Sequence, residues 1–198
     1  MKKLPVAALL LGGLCQPVLA DTVFSAYSDL DPASDCTVFA AAAEGDGEWA
    51  NLVCNGYRGY PVFLYSADLR ESAFYGFTPG GDLAPTWESF IAFNSVGPKI
   101  EWRLETVNER STPFATIHRR KVSSDGDPGG TIEVLVVSKV GQVDSREGCV
   151  VGLVLASGHP QANETARAVA DERARGFACG SDKPVSLGEP MPAFRRSE

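Results

Sequence analysis

Four cysteines constrain the fold of this chain more than any other feature, because an N-terminal export signal precedes them. Residues 1–20 join two lysines to an apolar run and end in V-L-A, a pattern typical of a secretory signal peptide cleaved before Asp21. Cleavage removes Cys15 and leaves Cys36, Cys54, Cys149 and Cys179. An even number of cysteines in an exported protein indicates disulfides rather than a metal site or a catalytic thiol.

The export signal also predicts where the protein resides. Lipid attachment at Cys15 is disfavoured, because bulky Leu14 stands where lipoprotein processing requires a small residue. The apolar run over residues 6–14 is too short to span a bilayer, for which about twenty residues are needed. We therefore expect a soluble periplasmic or secreted protein with no membrane span.

The four cysteines allow three connectivities, and the sequence alone does not choose among them. We prefer the local pairs Cys36–Cys54 and Cys149–Cys179. A glycine-rich turn over residues 44–48 separates the first two cysteines and predicts a hairpin. If the turn closes symmetrically, Val38 faces Leu52 and Cys36 faces Cys54, at a separation that a disulfide accepts.

Charge and composition restrict the function classes. Removal of residues 1–20 takes away two lysines and no acidic residue, so the net charge falls from −7 to −9. Nucleic acid and anionic membranes attract basic surfaces, so neither is expected as a partner. The sequence contains no recognisable cofactor motif, and its two histidines and widely spaced cysteines predict no metal site. Residues 21–198 suffice for one core of ordinary size.

The hydrophobic pattern is typical of strands. Residues 100–107 alternate strictly, with Ile100, Trp102 and Leu104 on one face, which predicts a half-buried strand. Residues 114–122 read as its returning strand, and Arg119, Arg120 and Lys121 there can lie across from Glu101 and Glu105. Further strands are predicted at 62–66, 72–77, 131–140 and 149–155.

One helix follows these strands. Residues 161–175 carry an apolar stripe of Ala162, Ala166, Val169 and Ala170, and Gly176 follows as a stop. We expect a mainly β (α+β) domain over residues 21–180, with six to eight strands in a single antiparallel sheet or a sandwich and this helix packed on it. Residues 181–198 are rich in Pro, Gly, Ser and charge, which predicts a flexible tail.

Short motifs along most of the chain after residue 21 carry a family resemblance. They are YSDLD at 27–31, GYPV at 59–62 with DLRES at 68–72, FNSVG at 93–97, EWRL at 101–104, PFATI at 113–117, and the pairs at 162–163, 166–167 and 170–171. With these motifs the chain resembles a family of small exported four-cysteine proteins from proteobacteria and myxobacteria. The resemblance implies no activity, and no functional residue is transferred from it.

The segment 80–94 is the first candidate for a binding surface. It reads as a long irregular connection that carries Trp87, Glu88, Phe90 and Phe93, and long loops often serve recognition. The competing interpretation, which we rank first, is that these aromatic residues cap the open face of the sheet. Asp68, Arg70 and Glu71 could form a polar pocket, although a turn stabilised by local pairs is the simpler interpretation.

Two alternative functions are hydrolysis and calcium binding. Ser157 and His159 suggest a nucleophile and a base, but residues two apart on an extended chain rarely reach one substrate atom, and no G-x-S-x-G motif surrounds them. His118 reads as a surface position on a strand. Asp125 and Asp127 partly match a calcium loop, but Val136 stands where a bidentate glutamate belongs, so a turn is favoured.

The sequence thus favours a non-catalytic exported module that acts by binding a protein or a small envelope ligand, for example as an inhibitor or accessory factor. A periplasmic hydrolase with an acid–histidine site at His159 and a calcium-dependent surface protein at Asp125 and Asp127 stay as alternatives.

We predict that the exported protein begins at Asp21 and contains no free thiol. Its intact mass should equal that of residues 21–198 less the hydrogens lost in two disulfides, because both cysteine pairs form in an oxidising compartment. Mass spectrometry with and without a thiol-alkylating reagent checks both points. A diacylated N-terminal Cys15 would contradict the processing, and alkylation without prior reduction would contradict the pairing.

Overall fold

Twelve strands and one helix form the part of the chain that this computed structural model describes, residues 22–80, 85–124 and 129–197. Strand residues comprise 51% of the described residues and the helix 7%, which confirms the prediction of a mainly β protein with one helix. The strands are β1 (Thr22–Asp29), β2 (Cys36–Ala41), β3 (Trp49–Cys54), β4 (Val62–Ala67), β5 (Arg70–Tyr75), β6 (Glu88–Phe90), β7 (Asn94–Val107), β8 (Arg110–Ser123), β9 (Thr131–Lys139), β10 (Val150–Leu155), β11 (Val185–Leu187) and β12 (Phe194–Arg196); the helix is α1 (Ala162–Arg173).

The sequence predicts a single antiparallel sheet or a sandwich; the described strands form three sheets, so the single sheet is wrong. A six-stranded sheet has the order β1-β7-β8-β9-β10-β11, a four-stranded sheet the order β2-β3-β4-β5, and β6 pairs with β12. All neighbours are antiparallel except β10 and β11. β7 and β8 are each 14 residues long, so one face of the large sheet is extensive enough to pack against both smaller sheets.

The large sheet lies in the middle of the molecule. On one face, Ile100, Trp102 and Leu104 pack against Val62 and Leu64 of the four-stranded sheet. Further along that face, residues of β9 and β10 pack against Phe90 and Phe194 of the two-stranded sheet. The opposite face is covered by α1. No helix in the described ranges is long and apolar enough to cross a membrane.

Helix α1 packs closely on the sheet because the residues between them are small. Ala162, Ala166, Val169 and Ala170 are buried, which confirms the predicted stripe. At Gly152 of β10, an added Cβ would lie 2.7 Å from a Val169 methyl carbon. A side chain at this position would push the helix away from β10.

Three ion pairs join α1 and the turn that follows it to β7. Glu101 binds Arg167 (2.6 Å), Arg103 binds Asp171 (2.6 Å) and Glu105 binds Arg175 (2.9 Å). Residues four apart on a helix rise by about 6 Å and residues two apart on a strand by about 7 Å, so the two rows stay in register. We call these six side chains the ion-pair ladder.

The ion-pair ladder corrects two predictions. The strand around Ile100 is buried on both faces, since Glu101 and Arg103 are each only 7% exposed beneath α1. The acidic residues of β7 pair with Arg167 of α1 and with Arg175 just after it, rather than with the basic trio of β8. Arg167 is distant from Glu101 in sequence, so reasoning from neighbouring strands could not identify it as the partner of Glu101.

Both predicted disulfides are present. Cys36 bonds Cys54 and Cys149 bonds Cys179. The register of β2 and β3 places Cys36 opposite Cys54 and Val38 opposite Leu52, as predicted, and a bulge follows between Val38 and Ala40. The second disulfide joins the residue before β10 to the segment after α1.

The C-terminal residues 181–198, predicted as a flexible tail, contain two short strands. β11 pairs with β10, and β12 pairs with β6. The Arg196 guanidinium donates to the buried Glu88 carboxylate (2.5 Å) and to the Val150 carbonyl (3.0 Å), while Phe194 packs edge-on against Phe90. Three-residue strands carry too little periodicity to stand out in a sequence.

We predict that Asp171→Asn lowers the free energy of unfolding by about 2–3 kcal/mol, because it leaves the largely buried Arg103 without its counter-charge. Urea unfolding at neutral pH measures the change. Asp29→Asn is the control, since the Asp29–Lys99 pair is exposed and should contribute less than about 1 kcal/mol. Equal effects of the two substitutions would contradict the role assigned to the ladder.

Candidate functional site

The four predicted binding residues lie in two different environments. Glu88 and Phe90 are buried, at 7% and 2% exposure, and belong to the contact between β6 and β12. Trp87 is half-buried and Phe93 is 45% exposed. Two of the four therefore face the interior, whereas Trp87 and Phe93 each line a surface cleft.

A wide cleft lies where the four-stranded sheet meets the ends of β7, β8 and β9. It has a volume of about 670 Å³, and we call it the inter-sheet groove. Its lining combines apolar and charged side chains, including Trp49, Leu69, Phe93, Arg70, Glu48 and Lys121. Trp49, Leu69 and Phe93 are 39%, 67% and 45% exposed, so three large apolar side chains converge on one cavity while remaining open to solvent.

Arg70 is held rigidly in the wall of this groove. Its Nε donates to the Ile91 carbonyl (2.6 Å) and its Nη1 to the Asp68 carbonyl (3.1 Å), with an ion pair to the Asp68 carboxylate. Its guanidinium carbon lies 5.0 Å from the centre of the Phe93 ring. The predicted local pairing is confirmed for Asp68 and Arg70, whereas Glu71 contacts the distant Val96 and Arg120. The same Arg70 fixes the segment that carries Phe93.

The turn between β4 and β5 has an uncommon backbone. Asp68 and Leu69 have φ angles of 49° and 58°, in the left-handed region where leucine is rarely found. The Leu69 side chain is the most exposed large apolar group in the groove, and its carbonyl accepts a hydrogen bond from the Asn94 backbone (3.1 Å). Strained residues of this kind cluster at binding sites.

Two smaller clefts adjoin the inter-sheet groove. One, of about 310 Å³, shares Trp49 with the groove and is also lined by Tyr65, Pro85 and Trp87. The other, of about 470 Å³, shares Arg70 and Phe93 and extends to Ile91 and Met191. The groove and the two clefts therefore share lining residues, and each contains an aromatic or aliphatic side chain.

A buried polar cluster lies between the large sheet and the four-stranded sheet. His118 is fully buried, which corrects the prediction of a surface position. Its Nε2–H donates to the Gly97 carbonyl (2.7 Å), so its Nδ1 accepts from the Tyr75 hydroxyl (2.7 Å). Burial, with a smaller effect of Arg120, lowers the pKa of His118 to about 3, and burial raises the pKa of Tyr75 to about 12. Both groups are neutral at physiological pH.

The three basic residues of β8 separate in the structure. Arg119 pairs with Glu133 (2.7 Å). Arg120 is buried, and its Nη1 lies 3.9 Å from the carboxylate of Glu71 on β5. Lys121 is exposed in the inter-sheet groove. A strand alternates its faces, so three consecutive basic residues cannot form one anion site.

The candidate catalytic pair does not adopt a nucleophile–base geometry. His159 is exposed, and its Nδ1 lies 2.8 Å from the Ser157 carbonyl rather than from the Ser157 hydroxyl. That hydroxyl accepts a hydrogen bond from the Glu133 backbone (2.8 Å). The calcium candidates Asp125 and Asp127 lie outside the described residues. Within the described ranges, no group of three or more Asp, Glu, His or Cys side chains could hold a metal ion.

Comparison with protein-family models, with curated proteins and with solved structures yields no match to this chain.

We predict that His118 makes stability fall as the pH is lowered. The unfolded chain binds a proton on this ring near pH 6.5, whereas the folded chain resists protonation down to about pH 3. The free energy of unfolding is therefore unaffected by His118 protonation above about pH 6.5. Below that pH it decreases by about 1.4 kcal/mol per pH unit.

His118→Gln should remove this part of the pH dependence, measured by urea unfolding between about pH 6.5 and pH 4. His159→Gln is the matched control, because it removes an exposed histidine and leaves the carboxylates unchanged. Parallel pH profiles for the two variants would contradict the prediction.

Proposed function

We propose that this protein is an exported, non-catalytic binding module whose inter-sheet groove holds its partner, a protein of the cell envelope or a small envelope ligand. Such a module would act as an inhibitor or an accessory factor. The supporting observation is the convergence of Trp49, Leu69 and Phe93 on one groove. Exposed apolar side chains of this size cost solvation free energy that a bound partner would recover.

The rigidity of the groove supports the same proposal. Arg70 joins the β4–β5 turn to the Ile91–Phe93 segment through three hydrogen-bonded contacts and the Phe93 ring. The Asn94 backbone adds a bond to Leu69. A site that is already ordered loses little conformational entropy on binding.

The left-handed conformation of Leu69 also supports the proposed binding site. A leucine in this region costs about 1–2 kcal/mol relative to an ordinary conformation, and its side chain recovers little by packing because it is 67% exposed. Glycine would suit the backbone better. We infer that leucine is retained here for contact with a partner.

The two disulfides support the proposal that the protein resides in an oxidising compartment. Two disulfides join segments 18 and 30 residues apart, and such bonds persist in the periplasm and outside the cell. Together with the signal peptide predicted for residues 1–20, they support export.

Leu69→Gly tests the groove. The tagged mature protein is incubated with an extract of the cell envelope, and captured components are identified and quantified. Wild-type protein should capture a saturable partner, and Leu69→Gly should lose at least about tenfold in affinity, equivalent to about 1.4 kcal/mol of lost contact. Its free energy of unfolding should stay equal or rise by up to about 1 kcal/mol, because glycine relieves the backbone strain.

Glu109→Gly is the matched control. Glu109 has a φ of 63° in the two-residue turn between β7 and β8 and is exposed there. The substitution should have a similar effect on stability and none on capture. Full capture by Leu69→Gly would exclude the groove as the binding site, and the absence of any saturable partner would contradict the binding function itself.

A further inference from the structure

Strand β1 is an open edge of the large sheet. It pairs with β7 over all eight residues, Thr22–Asp29, without a bulge. No other described segment hydrogen-bonds to its outer side. Its backbone therefore presents a regular row of groups that another strand could pair with.

The other sheet edges are less suited to pairing. β11, at the opposite edge of the large sheet, has three residues. β2 is interrupted by a bulge between Val38 and Ala40. β5 is engaged by the β6 segment, since Ser72 accepts from the Glu88 backbone and the Glu71 carbonyl accepts from Ser89. Bulges, short strands and covering segments are the usual protections of an edge, and β1 has none of them.

The side chains of β1 are also suited to a contact. Val23, Phe24 and Tyr27 are 37%, 40% and 52% exposed. The strand carries one charged residue, Asp29, whose carboxylate is paired with Lys99 (2.8 Å). Natural edge strands that must stay unpaired usually carry lysine or proline, and β1 contains neither.

We propose that β1 of one copy pairs antiparallel with β1 of a second copy, about a two-fold axis through Ser25, so that the two large sheets form one continuous sheet. This register places Val23 opposite Tyr27 of the second copy and Phe24 opposite Ala26. Each pair shares a face, because Val23 and Tyr27 both lie on the α1 side and Phe24 and Ala26 on the other. Pairs of an aromatic and a β-branched residue are favourable across antiparallel strands.

The net charge opposes contact between identical copies, and it does so least at the nearly uncharged β1 edge. With residues 1–20 removed, each copy carries a net charge of −9, so two copies repel wherever their acidic surfaces meet. The β1 edge is a nearly uncharged contact, and it is complementary to itself under a two-fold axis. Signal-peptide cleavage after Ala20 would leave Asp21 as the residue before β1, too short a segment to cover the edge.

Sedimentation equilibrium of the mature protein tests the proposal. The mass should rise from monomer to dimer with concentration, and Val23→Lys should raise the dimer dissociation constant at least about tenfold. The added lysine lies opposite Glu105 of its own β7, so folding should be preserved. Val143→Lys is the control, because it adds the same charge at an exposed valine that lies outside the edge strands β1 and β2.

Hydrogen exchange of the wild-type protein gives an independent measurement. The backbone amides of Thr22–Asp29 should become more protected as the concentration rises through the dimer range. A wild-type protein that stays monomeric at every concentration would overturn the proposal. So would a dimer weakened equally by Val143→Lys, or one whose β1 amides do not change in protection.

Discussion

The ion-pair ladder between α1 and β7 allows the central sheet to be buried on both faces. Glu101 and Arg103 lie beneath the helix at 7% exposure, where an unpaired charge would cost several kcal/mol. Each is matched because the four-residue spacing of Arg167 and Asp171 on the helix fits the two-residue spacing of the strand. The other face of β7 is then free to carry Ile100, Trp102 and Leu104 against the four-stranded sheet. The position of that sheet, and of the groove beside it, depends on this arrangement.

A second polar contact joins the two sheets and lies beneath the proposed binding site. His118 accepts from Tyr75 of β5, and Arg120 lies beside Glu71 on the same strand. Glu71 also accepts from the Val96 backbone (2.6 Å), next to the segment that carries Phe93. The walls of the inter-sheet groove are therefore connected through buried and partly buried polar groups, which are costly to leave unpaired. This connection explains how turns from different sheets are held together around the groove.

The predictable part of the fold consisted of long or strongly patterned elements. β7, β8, β9, β10 and the alanine stripe of α1 were predicted, since each repeats its pattern over many residues. The short strands β6, β11 and β12 were not, because three residues contain no measurable period. Of the candidate site, Phe93 and the Asp68–Arg70 turn could be identified from the sequence, whereas Trp49 could not. It stands at the start of a hairpin strand and looks like an ordinary core residue until β8 and β9 are placed across the groove from it.

The sequence by itself determined the mainly β character and the small apolar face of the helix, and its hairpin register favoured the Cys36–Cys54 pair without excluding the other connectivities. These properties depend on spacing within one segment or between neighbouring segments. The tertiary structure alone decided that β7 is buried on both faces and that His118 is neutral and enclosed. It also decided that Trp49, Leu69 and Phe93 meet in one groove. Each of these depends on contacts between residues tens of positions apart. Such contacts follow from how the three sheets pack together, which no local pattern encodes.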